Sequence, residues 1–206
     1  MKRVLNSGSI RLPYVGGSEK ERLATIHALG LYGNDAIEFI VNENPAVLDH
    51  VRFKFEVKAP LLVLNAFQEV HLGTINCLEG QDHQIAYLPP SFYSKDGLTY
   101  KIMDAKRCNV HNTRLYNFYE AAFNFYNNLI KEGMCEEQAQ LVLPQGMFVT
   151  FIWDITAKDL IEFIEQHYND SPEIYGYCST LMLYLQEHLP LTTKWLKANE
   201  WQHISL

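Results

Sequence analysis

The residues of this sequence that are best suited to chemistry are its cysteines and histidines, because these side chains bind metals and transfer protons. The four cysteines are Cys77, Cys108, Cys135 and Cys178, and no two of them have the C-x-x-C spacing of a zinc site. The eight histidines are scattered without the spacing of metal ligands, so we predict no metal site. We expect the four thiols to be reduced, because a chain of this length does not need disulfides for stability.

Widely shared catalytic motifs are absent from the sequence. It contains no G-x-G-x-x-G for dinucleotides, no G-x-x-x-x-G-K-(S/T) for phosphates, no H-E-x-x-H for zinc and no G-x-S-x-G for a serine nucleophile. Residues 73–112 are rich in glycine, proline and polar side chains, which predicts a long irregular segment. Such a segment is either functional or a surface excursion, and the residues alone leave both interpretations open.

The composition limits the class of protein. The 206 residues are 48% hydrophobic and 20% charged, which suits one domain with a packed core and excludes a disordered chain. A net charge of −7 argues against nucleic-acid binding, which needs a surplus of cations. No apolar run reaches the ~18 residues that a membrane span requires, so no membrane partner is expected. No apolar stretch follows the basic N-terminus, which predicts a cytoplasmic protein without a secretory signal.

The sequence predicts two strands that form the framework for the candidate site residues. Over residues 51–58, hydrophobic residues at odd positions alternate with charged residues at even positions, which is the period of a sheet with one buried face. Pro60 is expected to end this strand and to begin a helix over residues 61–72. Aromatic and β-branched residues predict a second strand over residues 147–153.

The other predicted elements are helices, which begin at capping residues and end at glycine or proline. They cover residues 18–29, 35–42, 61–72, 112–132, 136–143, 156–167 and 171–188, with a short helix around residue 195. The longest of them, residues 112–132, carries a wide apolar stripe. No linker or repeat divides the chain, so we predict one helix-rich α+β domain over residues 1–206.

Three segments of the sequence resemble one known family, the flavin-dependent thymidylate synthases. Residues 49–63 (DHVRFKFEVKAPLLV) are similar to the family's strand-to-helix junction, EH-x-x-F-x-F-x-(I/V)-K-A-P-(I/L)-x-V. Residues 133–144 (GMCEEQAQLVLP) resemble its G-x-x-x-E-x-A-R-x-x-L-P segment, and residues 151–163 (FIWDITAKDLIEF) resemble its strand followed by N-A-R-x-L-x-N-F. The resemblance implies a curved antiparallel sheet surrounded by helices. It also implies a homotetramer whose active sites are shared between subunits.

The family's flavin-binding residues map onto different residue types in this chain. Glu69, Val70 and His71 stand at the R-H-R positions, and Thr156 and Glu162 stand at two asparagines that contact the flavin. The resemblance therefore implies FAD as the candidate cofactor, with His71, Thr156 and Glu162 at its site. Arginine side chains usually neutralise a diphosphate, and Glu69 brings the opposite charge to one of these positions.

The family's substrate-binding residues are also changed. Asn76 keeps the asparagine of an N-E pair that holds deoxyuridylate, whereas Gln81 and Gln140 each stand where the family has an arginine. His167 stands at the arginine that contacts the pyrimidine. The resemblance implies a nucleotide-like ligand, with Asn76, Gln81 and Gln140 as substrate-binding residues. Because each lost arginine removes a charge-assisted pair, we predict altered or reduced ancestral activity.

Two functions remain open from the sequence. In the first, Glu69 and His167 are catalytic acid–base groups that converge with His71 in one desolvated site, because burial tunes such groups toward neutral pH. The chain is then a diverged pyrimidine C5-modifying enzyme and a homo-oligomer. In the second, these side chains are remnants without selected chemistry. The chain is then a non-catalytic scaffold or regulatory subunit, in a hetero-oligomer with an intact paralogue.

Overall fold

A five-stranded antiparallel sheet organises the protein. The computed structural model describes residues 1–5, 7–19, 30–69, 71–78, 86–96 and 99–199. The strands are β1 (Lys2–Val4), β2 (Gly8–Gly16), β3 (Arg52–Pro60), β4 (Thr74–Cys77), β5 (Tyr93–Asp96), β6 (Thr99–Ile102) and β7 (Phe148–Thr156). The sheet has the order β1-β2-β3-β7-β4, and β5 and β6 form a separate hairpin.

Helices account for most of the other described residues. They are α1 (Gly33–Glu38), α2 (Leu61–Glu69), α3 (Ala105–Lys131), α4 (Glu136–Ala139), α5 (Ala157–His167), α6 (Pro172–His188) and α7 (Pro190–Asn199). A π-helical turn at Phe39–Glu43 extends α1, and short 3-10 helices lie at Pro45–His50 and Gln140–Val142. The prediction of a helix-rich α+β fold around an antiparallel sheet is therefore confirmed.

The central strand β3 shows the alternation that the sequence predicts. Phe53 and Phe55 are fully buried, whereas Arg52 and Lys54 are exposed on the other face and Glu56 is half-buried there. There Arg52 and Lys54 lie 2.7 Å and 3.6 Å from the carboxylate of Asp154 on β7. The same strand therefore supplies the core on one face and a solvated ion cluster on the other.

Aromatic side chains fill the space between the sheet and the helices. The ring of Phe67 on α2 lies 4.7 Å from Trp153 of β7 and 4.6 Å from Phe163 of α5. Tyr184 of α6 lies 5.6 Å from Phe55 of β3. Each buried aromatic ring contributes roughly 1.5–3 kcal/mol of transfer free energy. This cluster therefore holds the C-terminal half of α2 firmly against β7 and α5.

The prediction of an irregular segment over residues 73–112 is wrong for most of the residues that the structure describes there. It contains β4, the β5–β6 hairpin and the first turns of α3, whose N-cap Asp104 accepts a hydrogen bond from the Arg107 N–H at 3.0 Å. β4 is exposed along three of its four residues, so its sequence lacks the apolar alternation that identifies a strand. Residues 79–85 of this segment lie outside the described residues.

The other predicted helices are confirmed with shifted ends. The hydroxyls of Thr156 and Ser171 cap α5 and α6 as predicted, each accepting from the N–H three residues later. β3 ends at Pro60 and α2 begins at Leu61, as predicted. Pro60 still pairs with Phe148 in the sheet, since a proline can take part through its carbonyl. The predicted helix over residues 18–29 falls almost entirely outside the described residues.

The described part of the chain contains free thiols, but neither a metal-binding group of side chains nor a helix that could cross a membrane. Cys77 and Cys135 are exposed free thiols, and Cys108 and Cys178 are buried free thiols. Among the described residues, three or more histidine, cysteine or carboxylate side chains nowhere form a group that could hold a metal ion. None of the described helices is long and apolar enough to cross a membrane.

Candidate functional site

A pocket of about 320 Å³ lies where α2 ends and the chain turns into β4. Its lining residues are Phe67, Gln68, His71, Leu72, Gly73 and Ile75. Three of them follow α2 directly, so the same turn that ends the helix shapes the pocket wall. This is where the sequence places the positions of the R-H-R motif.

The turn that forms the pocket has an unusual backbone. His71 and Gly73 both have positive φ angles, of 53° and 69°. At Gly73 a Cβ atom would lie 2.5 Å from the carbonyl oxygen of Asp154, so only glycine fits beside β7. The indole N–H of Trp153 donates to the Leu72 carbonyl at 3.0 Å and ties the turn to the core. The pocket wall is thus fixed by the sheet that it lies against.

Two of the predicted site residues lie at this turn. Glu69 is the last residue of α2, and its side chain is exposed. The side chain of His71 is exposed and lines the pocket, while its backbone N–H donates to the Gln68 carbonyl at 3.3 Å. The described lining contains no lysine or arginine. His71 is therefore the one titratable side chain in the described lining.

His167 is the last residue of α5 and only 6% of it is exposed. Its Nδ1 hydrogen-bonds to the carboxylate of Asp170, three residues further along the chain. Its ring lies 4.8 Å from Phe163, and Phe163 in turn contacts Phe67, which lines the pocket. One intervening ring therefore connects His167 with the pocket, and no described hydrogen bond links it to Glu69 or His71.

The predicted flavin-site residues Thr156 and Glu162 are not among the residues that line this pocket. The Thr156 hydroxyl accepts from the Asp159 N–H at 3.1 Å and caps α5. Glu162 accepts from Gln166 at 3.0 Å and lines a different pocket of about 280 Å³, together with Lys158. That second pocket lies between α5 and the 3-10 helix at residues 45–50. Neither Thr156 nor Glu162 therefore lines the pocket that His71 lines.

The predicted substrate-binding residues are dispersed. Asn76 is exposed on β4 in register with Ile152 of β7. Gln140 is exposed at the start of the short 3-10 helix after α4, and its amide donates to Glu136 at 3.5 Å. Gln81 lies outside the described residues. Within this chain, the described residues do not bring Asn76 and Gln140 to the pocket lining.

The largest pKa changes lie outside this pocket. Burial raises the pKa of Tyr177, whose hydroxyl donates to the Lys58 carbonyl at 2.8 Å. Burial, and then the charge of Glu173, raises the pKa of Tyr87, whose hydroxyl donates to Glu173 at 3.4 Å. Both tyrosines remain neutral hydrogen-bond donors at physiological pH, so their role is to hold α6 against the sheet and the neighbouring segment.

Sequence reasoning missed Asp170 as a partner of His167. A histidine in the last turn of a helix, followed three residues later by an aspartate, is the available signal. It is weak because it depends on how the chain leaves the helix. Leu72 was also missed. It contributes only its backbone carbonyl, which accepts from Trp153, and any residue type at this position has such a carbonyl.

Comparison with known proteins gives consistent matches. Residues 15–191 match the family described as "Thymidylate synthase complementing protein". A flavin-dependent thymidylate synthase of Thermosipho melanesiensis is 26% identical over 158 residues, covering 70% of this chain and 67% of the relative. A flavin-dependent thymidylate synthase of Thermus thermophilus is 22% identical over 209 residues, covering 91% of this chain and 75% of the relative.

A solved structure has the same fold. The UMP/dUMP methylase PolB from Streptomyces cacaoi, crystallised with 5-Br UMP, superposes with a TM-score of 0.81 at 16% sequence identity. The superposition covers 96% of this chain and 97% of that protein. The resemblance that the three sequence segments indicate is therefore confirmed over nearly the whole chain.

Proposed function

The chain belongs to the thymidylate synthase complementing protein family, and from this premise we propose that it binds a pyrimidine nucleotide of the deoxyuridylate type with altered or reduced ancestral chemistry. The observation that carries the proposal is the pocket at the end of α2. It lies at the positions where the resemblance implies flavin binding, but one of these positions is Glu69 and no described lysine or arginine lines the pocket.

The names of the relatives support a flavin as the candidate cofactor for this chain, and FAD is the flavin that the family resemblance implies. A flavin diphosphate carries negative charges that charge-assisted pairs must balance, and each such pair contributes roughly 1.5–3 kcal/mol. The described residues of the pocket fit this group poorly, because His71 is their only side chain that can become cationic. We therefore propose weak FAD binding by this chain and assign none of its residues a step in flavin chemistry.

The nucleotide part of the proposal has separate support. The base of a nucleotide is neutral, so the part of the site that holds the base needs hydrogen-bonding groups more than cations. Gln68 supplies an exposed amide that both donates and accepts. His71 adds an exposed imidazole at the same turn. These two groups favour the neutral pyrimidine ring over a phosphate group as the part of the ligand that lies at this turn.

The second candidate function is a non-catalytic scaffold or regulatory subunit, and what covers the surface of α3 distinguishes it from the first. Five large hydrophobic side chains of this helix are between 38% and 57% exposed, namely Val110, Tyr116, Phe118, Phe125 and Ile130. Aromatic residues are enriched where subunits meet. We propose that a second copy of this chain covers these side chains in a homo-oligomer, a tetramer by resemblance to the family. A mixed assembly with an intact paralogue is the outcome that would instead identify a regulatory subunit.

One experiment separates the enzyme from the scaffold. The purified chain is mixed with reduced FAD, a one-carbon folate donor and deoxyuridylate labelled with tritium at C5, because substitution at C5 must release that tritium. Slow release above the protein-free rate supports an enzyme of reduced activity. Tight nucleotide binding without release supports the regulatory subunit. Release at the rate of an intact relative, measured side by side, would contradict the proposed divergence.

A further inference from the structure

We propose that this chain binds uncharged pyrimidine nucleosides at least as tightly as the corresponding nucleotides, because the pocket at the end of α2 disfavours a phosphate group. The inference rests on the proposed pyrimidine binding and narrows the class of ligand. The replaced cations then change which ligand the site selects, and do not only weaken its binding. Deoxyuridine and deoxyuridylate are the pair of ligands that distinguishes the two cases.

The segment that forms the pocket contains no lysine or arginine. Residues 59–94, which include α2, the turn after it and β4, have three acidic residues and no residue with a permanent positive charge. All 17 lysines and arginines of the chain lie outside this stretch. Phosphate groups are usually held by such cations. A phosphate that approaches this segment therefore finds none of its usual partners in it.

Glu69 places a negative charge close to the pocket. It directly follows Gln68, which lines the pocket, and its side chain is exposed. Consecutive Cα atoms are about 3.8 Å apart, so this carboxylate acts on the pocket well within the ~30 Å Debye length of 0.01 M salt. A monophosphate carries about two negative charges at pH 8. The carboxylate of Glu69 therefore repels a nucleotide and leaves an uncharged nucleoside unaffected.

Two cations of the sheet are paired on the face opposite the pocket. Ile75, which lines the pocket, lies in register with Trp153, whose buried side chain marks the face covered by helices. Asp154 is the next residue of β7, so its side chain lies on the other face. There its carboxylate lies 2.7 Å from the guanidinium of Arg52 and 3.6 Å from the ammonium group of Lys54. Both cations are thus engaged and on the wrong face to hold a phosphate in the pocket.

The groups that the pocket offers suit a neutral ligand. Gln68 contributes an amide and His71 an imidazole, and both of these side chains are exposed. Leu72 and Ile75 are half-buried and give the lining an apolar part. The volume of about 320 Å³ lies at the lower end of the range for small-molecule sites, roughly 300–1,000 Å³. Such a pocket holds a nucleoside through hydrogen bonds and apolar contacts, and neither of these requires a phosphate.

NMR titration of the unmodified chain with each ligand tests the selection. The measurement is made at pH 8, where an exposed imidazole is neutral, and at about 0.01 M salt. We expect deoxyuridine to bind roughly two- to fivefold more tightly than deoxyuridylate, the effect of one carboxylate on a doubly charged phosphate across about 10 Å of water. Salt at about 0.5 M should tighten deoxyuridylate and leave deoxyuridine unchanged, since it screens the repulsion. A site that holds the phosphate through cations has the opposite salt dependence.

Substitutions at Glu69 test the cause of the selection. Glu69→Gln should bring the two ligands to equal affinity, and Glu69→Arg should make deoxyuridylate the tighter ligand by at least about twofold. Glu132→Gln and Glu132→Arg make the same charge changes at an exposed position after α3 and should leave the ratio of the two affinities unchanged. The ratio is the informative quantity, because a general structural effect of a substitution changes the binding of both ligands together.

Three outcomes would contradict these expectations in different ways. Tighter binding of deoxyuridylate than of deoxyuridine by the unmodified chain at low salt overturns the inference and leaves the proposed function standing. Tighter binding of deoxyuridine with the same ratio in Glu69→Gln overturns the role of Glu69. Failure of both ligands to bind at millimolar concentration overturns the proposed function, and the inference with it.

Discussion

The carboxylate of Glu19 accepts a hydrogen bond from the backbone N–H of Thr192 at 2.7 Å, near the start of α7. The same carboxylate accepts from the Leu191 N–H at 3.1 Å, and Glu19 is only 7% exposed. The first N–H groups of a helix have no partner within it, and an anion there is favoured by the helix dipole. The N-terminal part of the chain thus caps its last described helix.

We expect Glu19→Ala to lower the free energy of unfolding by about 1–2 kcal/mol, the range found for lost helix caps. The loss should be local, because the two amides return to being unpaired. Hydrogen exchange at Leu191 and Thr192 should accelerate in this variant and remain unchanged in Glu43→Ala, which removes an exposed carboxylate. Equal exchange in both variants would show that Glu19 does not hold α7.

The core packing of β3 makes a second prediction. Phe53 is fully buried and stacks 5.6 Å from Phe55, so Phe53→Ala should cost roughly 3–5 kcal/mol in urea unfolding. Lys54→Ala is the neighbouring control. It removes only one member of an exposed ion cluster, so it should cost less than about 1 kcal/mol. A larger loss at Lys54 than at Phe53 would refute the assignment of buried and exposed faces.

The exposed hydrophobic side chains of α3 predict that the chain forms an oligomer. Sedimentation at micromolar concentration should show an oligomer, and Phe125→Glu should dissociate it, because a charge in a buried apolar interface is strongly unfavourable. Leu183→Glu is the matched control, since Leu183 is similarly exposed but lies on α6. A monomer in the unmodified chain would contradict the proposed oligomer. Dissociation by both variants would place the interface elsewhere.

The replaced cation at the end of α2 can be restored. In calorimetric titration, FAD should bind the unmodified chain weakly, and Glu69→Arg should tighten binding by about 1.5–3 kcal/mol, or roughly 10- to 150-fold. Glu132→Arg makes the same charge change at an exposed position after α3 and should have little effect at moderate salt. Sub-micromolar FAD binding by the unmodified chain would show that the pocket holds the diphosphate in another way.

The thiols should differ in reactivity according to burial. Cys178 is buried and desolvation raises its pKa, so its thiolate is both scarce and inaccessible. Desolvation also raises the pKa of Cys77, so its reaction rate should continue to rise at a higher pH than that of a fully solvated thiol. Titration with a thiol reagent should modify Cys77 and Cys135 in the folded protein and the other two only after unfolding. Rapid native modification of Cys178 would contradict its burial.

The sequence predicted those parts of the fold that leave a periodic pattern. β3 was predicted because every second side chain of the strand is hydrophobic and packs into the core. The caps of α5 and α6 were predicted because each needs only one hydroxyl that accepts from a backbone N–H three residues later. β4 was not predicted, because its residues are mostly exposed and it is held by backbone pairing to β7. The position of the pocket came from family resemblance. The pairing of Asp170 with His167 required the path of the chain beyond α5.

The pairing of β3 with β7 has a consequence for how the protein folds. Arg52 lies opposite Thr156 and Pro60 opposite Phe148, so the two central strands join distant parts of the chain. During synthesis β3 emerges long before its partner, and the apolar stripe of α3 is already outside the ribosome when the sheet closes. We expect slow refolding limited by this long-range closure. The same delay leaves two apolar surfaces exposed to other chains, so aggregation during refolding should rise steeply with protein concentration.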